Sequence, residues 1–294
     1  MLSSLAPDQI VKEDISNFYE HKAEVHILRL DKISPDISGN KWFKLRFYLD
    51  EAKAMRKKGI LTFGGAWSNH IFATAAACSS MGLQSIGIIR GEESPHISVT
   101  LSRARAFGMQ LEFISRAAYK EKILPTKLPL DDYLIVNEGG YGLTGVRGAS
   151  TILDYCDDSY THFCCAAGTG TMMAGLINGC EANQKVIGIP VLKNHPELAS
   201  MIQSLLERTE KQWTLADAFH FGGYAKYNDE LIAFMNDFYD HTAIRSDFVY
   251  TGKLFYAVKQ LANAHFFPKQ SQILIIHSGG LQGNQSLPAG TLIF

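Results

Sequence analysis

Nowhere in the 294 residues do 18 apolar positions run uninterrupted, so the sequence predicts no membrane-spanning helix. A surplus of one charge is missing as well. Lysine and arginine number 28 against 29 aspartates and glutamates, and no long basic run occurs, which argues against nucleic acid or an anionic membrane surface as a partner. Cysteine is sparse and odd in number. The five (Cys78, Cys156, Cys164, Cys165 and Cys180) lie mostly in apolar runs, as buried reduced thiols do, rather than in a disulfide framework. No Cys-x-x-Cys occurs, and the adjacent Cys164 and Cys165 would face opposite sides of a strand, so no metal site is expected. The opening Met1-Leu2-Ser3-Ser4-Leu5-Ala6-Pro7 lacks a basic cluster and is too short for a secretory signal, which together with the thiols predicts a cytoplasmic protein. Fixed-period repeats and low-complexity segments are also absent. What remains is globular in composition, 46% hydrophobic and 11% aromatic.

From about residue 41 onward, helical patterns alternate with short apolar runs. Strands are expected at 60–63, 85–89, 111–114, 133–136, 162–166, 186–189 and 273–276. Helices are expected at 41–58, 69–81, 96–107, 143–156, 170–180, 196–208, 228–241 and 251–266. This rhythm predicts an α/β fold of mostly parallel sheets flanked by helices. In such folds ligands sit beyond the carboxyl ends of the strands, and the polar signatures of this chain fall there.

Ser38-Gly39-Asn40-Lys41-Trp42-Phe43-Lys44-Leu45 runs from a polar turn into a helix whose apolar positions are Leu45, Tyr48, Leu49, Ala52 and Met55. Lys41 and Lys44 lie within one turn near the helix end that attracts anions, so one amine could form an imine while the other holds an anion. Two solvated lysines in a surface helix would look the same. Gly168-Thr169-Gly170-Thr171 turns a strand into a helix, where glycines let consecutive N–H groups face one anion. It is neither the phosphate-loop fingerprint of nucleoside triphosphatases nor a full Gly-x-Gly-x-x-Gly, so a lone phosphate group fits better than a nucleotide. Ser68-Asn69-His70 opens another helix. Ser68 is a natural N-cap, and the same place suits a substrate carboxylate. No Gly-x-Ser-x-Gly elbow accompanies it, which disfavours a serine hydrolase. Val249-Tyr250-Thr251-Gly252-Lys253 precedes a helix, Phe221-Gly222-Gly223-Tyr224 is a glycine-hinged aromatic turn, and His277-Ser278-Gly279-Gly280 ends the last strand. A lysine poised for an imine, a lone phosphate cradle and a carboxylate-binding helix start together suit pyridoxal 5′-phosphate acting on an amino acid.

These motifs, spread from about residue 38 to 280, resemble those of the tryptophan-synthase-β-like (fold type II) pyridoxal-phosphate enzymes. Within them they resemble the D-cysteine desulfhydrase / 1-aminocyclopropane-1-carboxylate deaminase branch. The resemblance implies two domains. One, larger and cofactor-binding, would comprise 1–45 and 150–294; the other, a smaller inserted α/β domain, would comprise 46–149. It implies Lys41 as the imine-forming residue, Lys44 and Gly168, Thr169, Gly170 and Thr171 on the phosphate, and Asn69 on the phenolic oxygen. Ser68, Asn69 and His70 would take the substrate, Tyr224 and Tyr250 would stand over the reacting carbons, and Thr251 or Ser278 would meet the pyridine nitrogen. Homodimers are usual in the branch.

The deaminases typically carry Gln, Glu and Leu where this chain has His70, Thr251 and Ser278. A carboxylate at the pyridine nitrogen would make a deep electron sink, and a hydroxyl a shallower one, suited to expelling a good leaving group. The expected activity is therefore desulfhydrase-like α,β-elimination of a small amino acid to ammonia and a 2-oxo acid. The alternatives are 1-aminocyclopropane-1-carboxylate deamination, a non-enzymatic cofactor or amino-acid sensor, and a Rossmann-type nucleotide binder, the last disfavoured by its missing fingerprint.

Overall fold

The computed structural model describes residues 6–19, 23–37, 39–208 and 210–294; Ser38, which begins the lysine motif, lies outside them. Ten strands and nine helices follow one another among these residues. The strands are β1 Lys12–Asp14, β2 Glu24–Arg29, β3 Gly59–Gly64, β4 Gln84–Arg90, β5 Met109–Ile114, β6 Tyr133–Val136, β7 His162–Ala167, β8 Lys185–Pro190, β9 Gln212–Leu215 and β10 Gln272–His277. The helices are α1 Asn40–Ala54, α2 Asn69–Ser80, α3 Val99–Ala106, α4 Arg116–Lys120, α5 Leu143–Ser150, α6 Thr171–Gly179, α7 Leu198–Gln203, α8 Asp229–Thr242 and α9 Thr251–Asn263.

The strands form two sheets, one of six in the order β1-β2-β10-β7-β8-β9 and one of four in the order β5-β4-β3-β6. Every pairing is parallel except that of β1 with β2. Parallel strands need helical crossovers, which cover both faces and require apolar side chains on each. The larger sheet shows this in its alternation. Leu274, Ile276, Phe163 and Cys165 pack on α5 and α6, while Ile273, Ile275, Ala166 and Cys164 pack on α8 and α9. Cys164 and Cys165 do face opposite sides, and all five cysteines are unpaired thiols. No helix among the described residues is long and apolar enough to cross a membrane.

Helix α1 joins the two cores. Phe43 belongs to the cluster under the larger sheet, and Leu45, Leu49 and Ala52 to the one beside β3 and β6. Met55, the last of the apolar positions that predicted this helix, is 53% exposed, because the helix ends at Ala54 and Arg56 turns left-handed. The same mechanism shortens α9, which stops at Asn263 ahead of the left-handed His265. Helix α3 starts at Val99 rather than 96, where Ser98 accepts a hydrogen bond from Leu101 N at 3.2 Å and caps it. Strands β1, β2 and β9 escaped the sequence reading. The first is three charged residues long, and β9 is a half-buried edge strand, so neither carries the continuous apolar run of a central strand.

Candidate active site

A cavity of about 640 Å³ opens where the carboxyl ends of strands from both sheets converge. That volume is within the range of small-molecule sites. Its walls include the loop after β3 (Gly65 to Ser68), the starts of α1 and α2, the loops after β6 and β7, and Ser278 and Gly279 after β10. Of the residues singled out from sequence, Lys41, Lys44, Ser68, Asn69, His70, Gly168, Thr169, Tyr224, Tyr250 and Ser278 line it.

Gly170, Thr171 and Thr251 do not line it. A Cβ on Gly170 would lie 2.5 Å from Ile202 Cγ1, so this position faces α7. Thr171 is fully buried, its hydroxyl 3.0 Å from that of Thr169. Thr251 is fully buried too; its hydroxyl donates to Asp247 Oδ1 at 2.9 Å and accepts from Asp247 N at 2.8 Å. Of the two residues expected at the pyridine nitrogen, Ser278 lines the cavity and Thr251 does not.

Lys41 and Lys44, at the start of α1, are sequestered. Lys41 Nζ donates to Asn40 Oδ1 at 2.7 Å and lies 6.0 Å from the centre of the Tyr250 ring. Burial pulls its pKa down to about 8, against the opposing influence of Asp247. Lys44 is 6% exposed and donates to Gly139 O at 3.3 Å; burial, and then the charge of Lys41, push its pKa well below the ordinary lysine value. Neither forms an ion pair among the described residues. Arg90 and Lys122 add two more cations to the lining, in which Glu138 is the sole carboxylate among the described residues. This is a site built for an anion.

At the start of α2, Ser68 Oγ accepts from Ile71 N at 3.3 Å, so the cap role holds and the hydroxyl proton stays available to a ligand. Asn69 donates from Nδ2 to Gly280 O at 3.0 Å, leaving its second N–H free to serve a ligand, and its Oδ1 is buried without a partner. His70 is fixed more tightly. Its Nε2 lies 2.8 Å from Thr62 Oγ1, and that hydroxyl donates its single proton to Val136 O at 2.8 Å. The imidazole must therefore supply the proton to Thr62, which makes it the Nε2–H tautomer with a bare, unpartnered Nδ1. Burial, then Lys41 and Lys44, lower its pKa to about 3. Neutral His70 can accept a hydrogen bond here and cannot donate one to a carboxylate.

Asp247, absent from the sequence reading, organises the other wall. Fully buried, it accepts hydrogen bonds from the backbone N–H of Val249 (3.0 Å), Tyr250 (3.1 Å) and Thr251 (2.9 Å), and so caps α9. That cap fixes Tyr250, whose ring meets Tyr224 edge-on at 6.1 Å. The signal was available, since an aspartate two to four residues ahead of a helical pattern is a capping signature. Arg90 and Glu138 were also missed, although both follow apolar runs at the strand ends where ligands gather.

The comparisons with known proteins agree with this geometry. A family model described as pyridoxal-phosphate dependent enzyme matches residues 14–279. A bifunctional D-cysteine desulfhydrase/1-aminocyclopropane-1-carboxylate deaminase of Arabidopsis thaliana is 27% identical over 88% of this chain and 73% of its own length. A D-cysteine desulfhydrase of Klebsiella pneumoniae is 25% identical over 87% of each chain. The crystal structure of an ACC deaminase homologue superposes with a TM-score of 0.83 at 25% identity, covering 95% of this chain and 92% of that one. The fold is accordingly that of the fold type II pyridoxal-phosphate enzymes.

The residues present fit the cofactor. Lys41 and Lys44 have no anionic partner among the described residues, and a phosphate beside Lys44, Gly168 and Thr169 would supply one. Lys41, like Lys44, has a depressed pKa inside the cavity, as a residue that must attack a carbonyl requires, and it lies beside the Tyr250 ring. The second N–H of Asn69 suits a phenolic oxygen.

Proposed function

The chain belongs to the family of pyridoxal-phosphate-dependent enzymes, and from that premise we propose that it catalyses α,β-elimination on a small amino acid with a leaving group on Cβ. D-cysteine is the representative substrate, and the products are ammonia and a 2-oxo acid. The observation that carries the reading is the pair of sequestered lysines one turn apart, without ion-pair partners, at the mouth of an anion site. Bound pyridoxal phosphate supplies the electron sink for the pair left behind when the Cα proton departs.

Lys41 would hold the cofactor covalently through Nζ, and Lys44 with Gly168 and Thr169 would hold its phosphate. The Lys41 amine, when free, would be the base for the Cα proton, and its depressed pKa of about 8 keeps a useful fraction neutral at physiological pH. Ser68 offers its hydroxyl proton to the substrate carboxylate, its lone pair being engaged with Ile71 N. His70, an acceptor, orients an N–H or O–H instead. Tyr224 and Tyr250, in ring contact within the cavity, are the hydroxyls placed to give a proton to the departing thiolate. Ser278 is the hydroxyl available to the pyridine nitrogen, and no carboxylate of this wall lines the cavity. A shallow sink of this kind favours elimination over cyclopropane opening. Relatives named for D-cysteine desulfhydrase activity, one of them bifunctional with 1-aminocyclopropane-1-carboxylate deaminase, are consistent with the reading and with its alternative. We further propose a cytoplasmic homodimer, as is usual in the branch.

The decisive measurement is kcat/KM of the purified holoprotein for D-cysteine and for 1-aminocyclopropane-1-carboxylate, with the cofactor site mapped by borohydride reduction. D-cysteine is expected to be the better substrate and Lys41 the labelled residue. Preference for the cyclopropane substrate by tenfold, about 1.4 kcal/mol, makes the chain a deaminase instead. Bound cofactor without turnover of any D- or L-amino acid makes it a sensor.

A further inference from the structure

Lys253 is fully buried three residues into α9, yet it forms no ion pair among the described residues and touches no part of the cavity. Its Nζ donates instead to two backbone carbonyls of a distant loop, His220 O at 2.8 Å and Gly223 O at 2.7 Å. Both carbonyls already close turns within that loop, His220 O accepting from Gly223 N at 2.9 Å and Gly223 O from Lys226 N at 3.1 Å. One ammonium therefore ties two successive turns to the helix that carries Tyr250.

The loop needs tying. Phe221 and Ala225 sit at φ 51° and 52°, a region that side chains with a Cβ populate at a cost, and Gly222 and Gly223 are left-handed as well. Four such residues in five do not hold one conformation by local preference. Tyr224, in their midst, meets Tyr250 edge-on but is 39% exposed, so packing leaves much of it uncovered. The backbone beneath it is gripped by Lys253. Asp247 completes the arrangement, capping the helix under Tyr250 and lending a negative charge to the region of Lys253.

We propose that Lys253 is a positioning residue which, through the carbonyls of His220 and Gly223, holds the 220–225 loop so that Tyr224 stays against Tyr250 over the reacting carbons. The catalytic part of this inference rests on the elimination reading; the loop part does not.

The test uses the full-length holoprotein carrying Lys253→Met, which keeps the buried stem and removes the donors. Without substrate, hydrogen–deuterium exchange at the amides of 220–225 is expected to quicken about tenfold or more, with α8 unchanged. Unaltered exchange there overturns the clamp. With D-cysteine, kcat is expected to fall about tenfold or more while KM moves little. In a Tyr224→Phe background the same substitution should cost no more than about twofold further, because its effect runs through Tyr224. Equal losses in both backgrounds overturn the positioning role. If Lys253→Met does not fold, Lys253→Gln, polar but too short to reach both carbonyls, carries the same measurements. Since exchange needs no turnover, inactivity toward every amino acid would count against the functional reading alone.

Discussion

Replacing Gly39 with alanine should damage the site more than any other methyl group could. Gly39 stands at φ 65°, ψ −143°, immediately before α1, and a Cβ there would lie 1.7 Å from Ser278 O and 2.2 Å from Ser278 C. The obstacle is backbone, so no rotamer relieves it. Reaching even a tight contact requires the start of α1 and the end of β10 to part by more than about 1 Å. That parting stretches the bond from Asn40 N to Ser278 O, now 3.2 Å, and carries Lys41 away from Ser278, two groups that face the same ligand. The backbone conformation alone costs a residue with a Cβ about 1–3 kcal/mol, and overpacking adds about 1–3 kcal/mol. A displacement of this size at a reacting group costs roughly a hundredfold in rate. Gly39→Ala should therefore lower kcat/KM about a hundredfold and shift the urea unfolding midpoint downward. Gly82→Ala is the control. It has nearly the same φ, 67°, but nothing within 4 Å of its added Cβ, so it should lose stability and keep full activity. If Gly39→Ala retains wild-type kcat/KM and cofactor, the wedge between α1 and β10 is not what places Lys41.

Three further outcomes are expected. Capture of pyridoxal phosphate by the apoprotein, followed by absorbance, should quicken about tenfold per pH unit up to about pH 8 and then level off, as the Lys41 amine loses its proton; a rise continuing to pH 10 would refute the depressed pKa. Since the unfolded lysine titrates near its ordinary 10.5, the unfolded chain binds the extra proton between those values, and the Lys41 contribution to apoprotein stability should increase from about pH 8 toward 10.5. Nitrogen NMR should find His70 neutral and protonated on Nε2 down to pH 5, and its contribution to stability should weaken as pH falls from 6.5 toward 3, where only the unfolded chain takes the proton; an imidazolium signal at pH 6 would contradict the Thr62 bond. Gly170→Val, which meets Ile202 at a left-handed position, should lower cofactor affinity by more than about tenfold in equilibrium dialysis by shifting the loop that carries Gly168 and Thr169.

The two parallel sheets and most of their strands were legible because each central strand is an apolar run buried on both faces, and each helix shows its own periodicity. Ten of the thirteen singled-out residues line the cavity because motifs at strand ends are read by position alone. Thr251 shows where that reasoning stops. Its sequence neighbour Tyr250 faces the cavity, while Thr251, one residue on, turns inward to Asp247, a choice made by the cap geometry and not by residue type. The ends of α1 and α9 were missed where a left-handed residue with a Cβ, Arg56 or His265, follows the helix, since nothing in such a side chain announces positive φ.

By itself the sequence determined the chemistry on offer: two lysines one turn apart, a glycine-threonine turn, a serine-capped helix, and enough apolar periodicity to bury them. Tertiary structure decided which of these groups meet and in what state. Residues from 41 to 279 share one cavity because α1 packs on both cores and the strand ends converge. His70 is an acceptor because Thr62 and Val136 lie beside it, and Lys41 is a partly neutral amine because burial withholds the water that would keep it charged. Tautomer and pKa are properties of surroundings, and surroundings assembled from residues far apart in the chain exist only once it has folded.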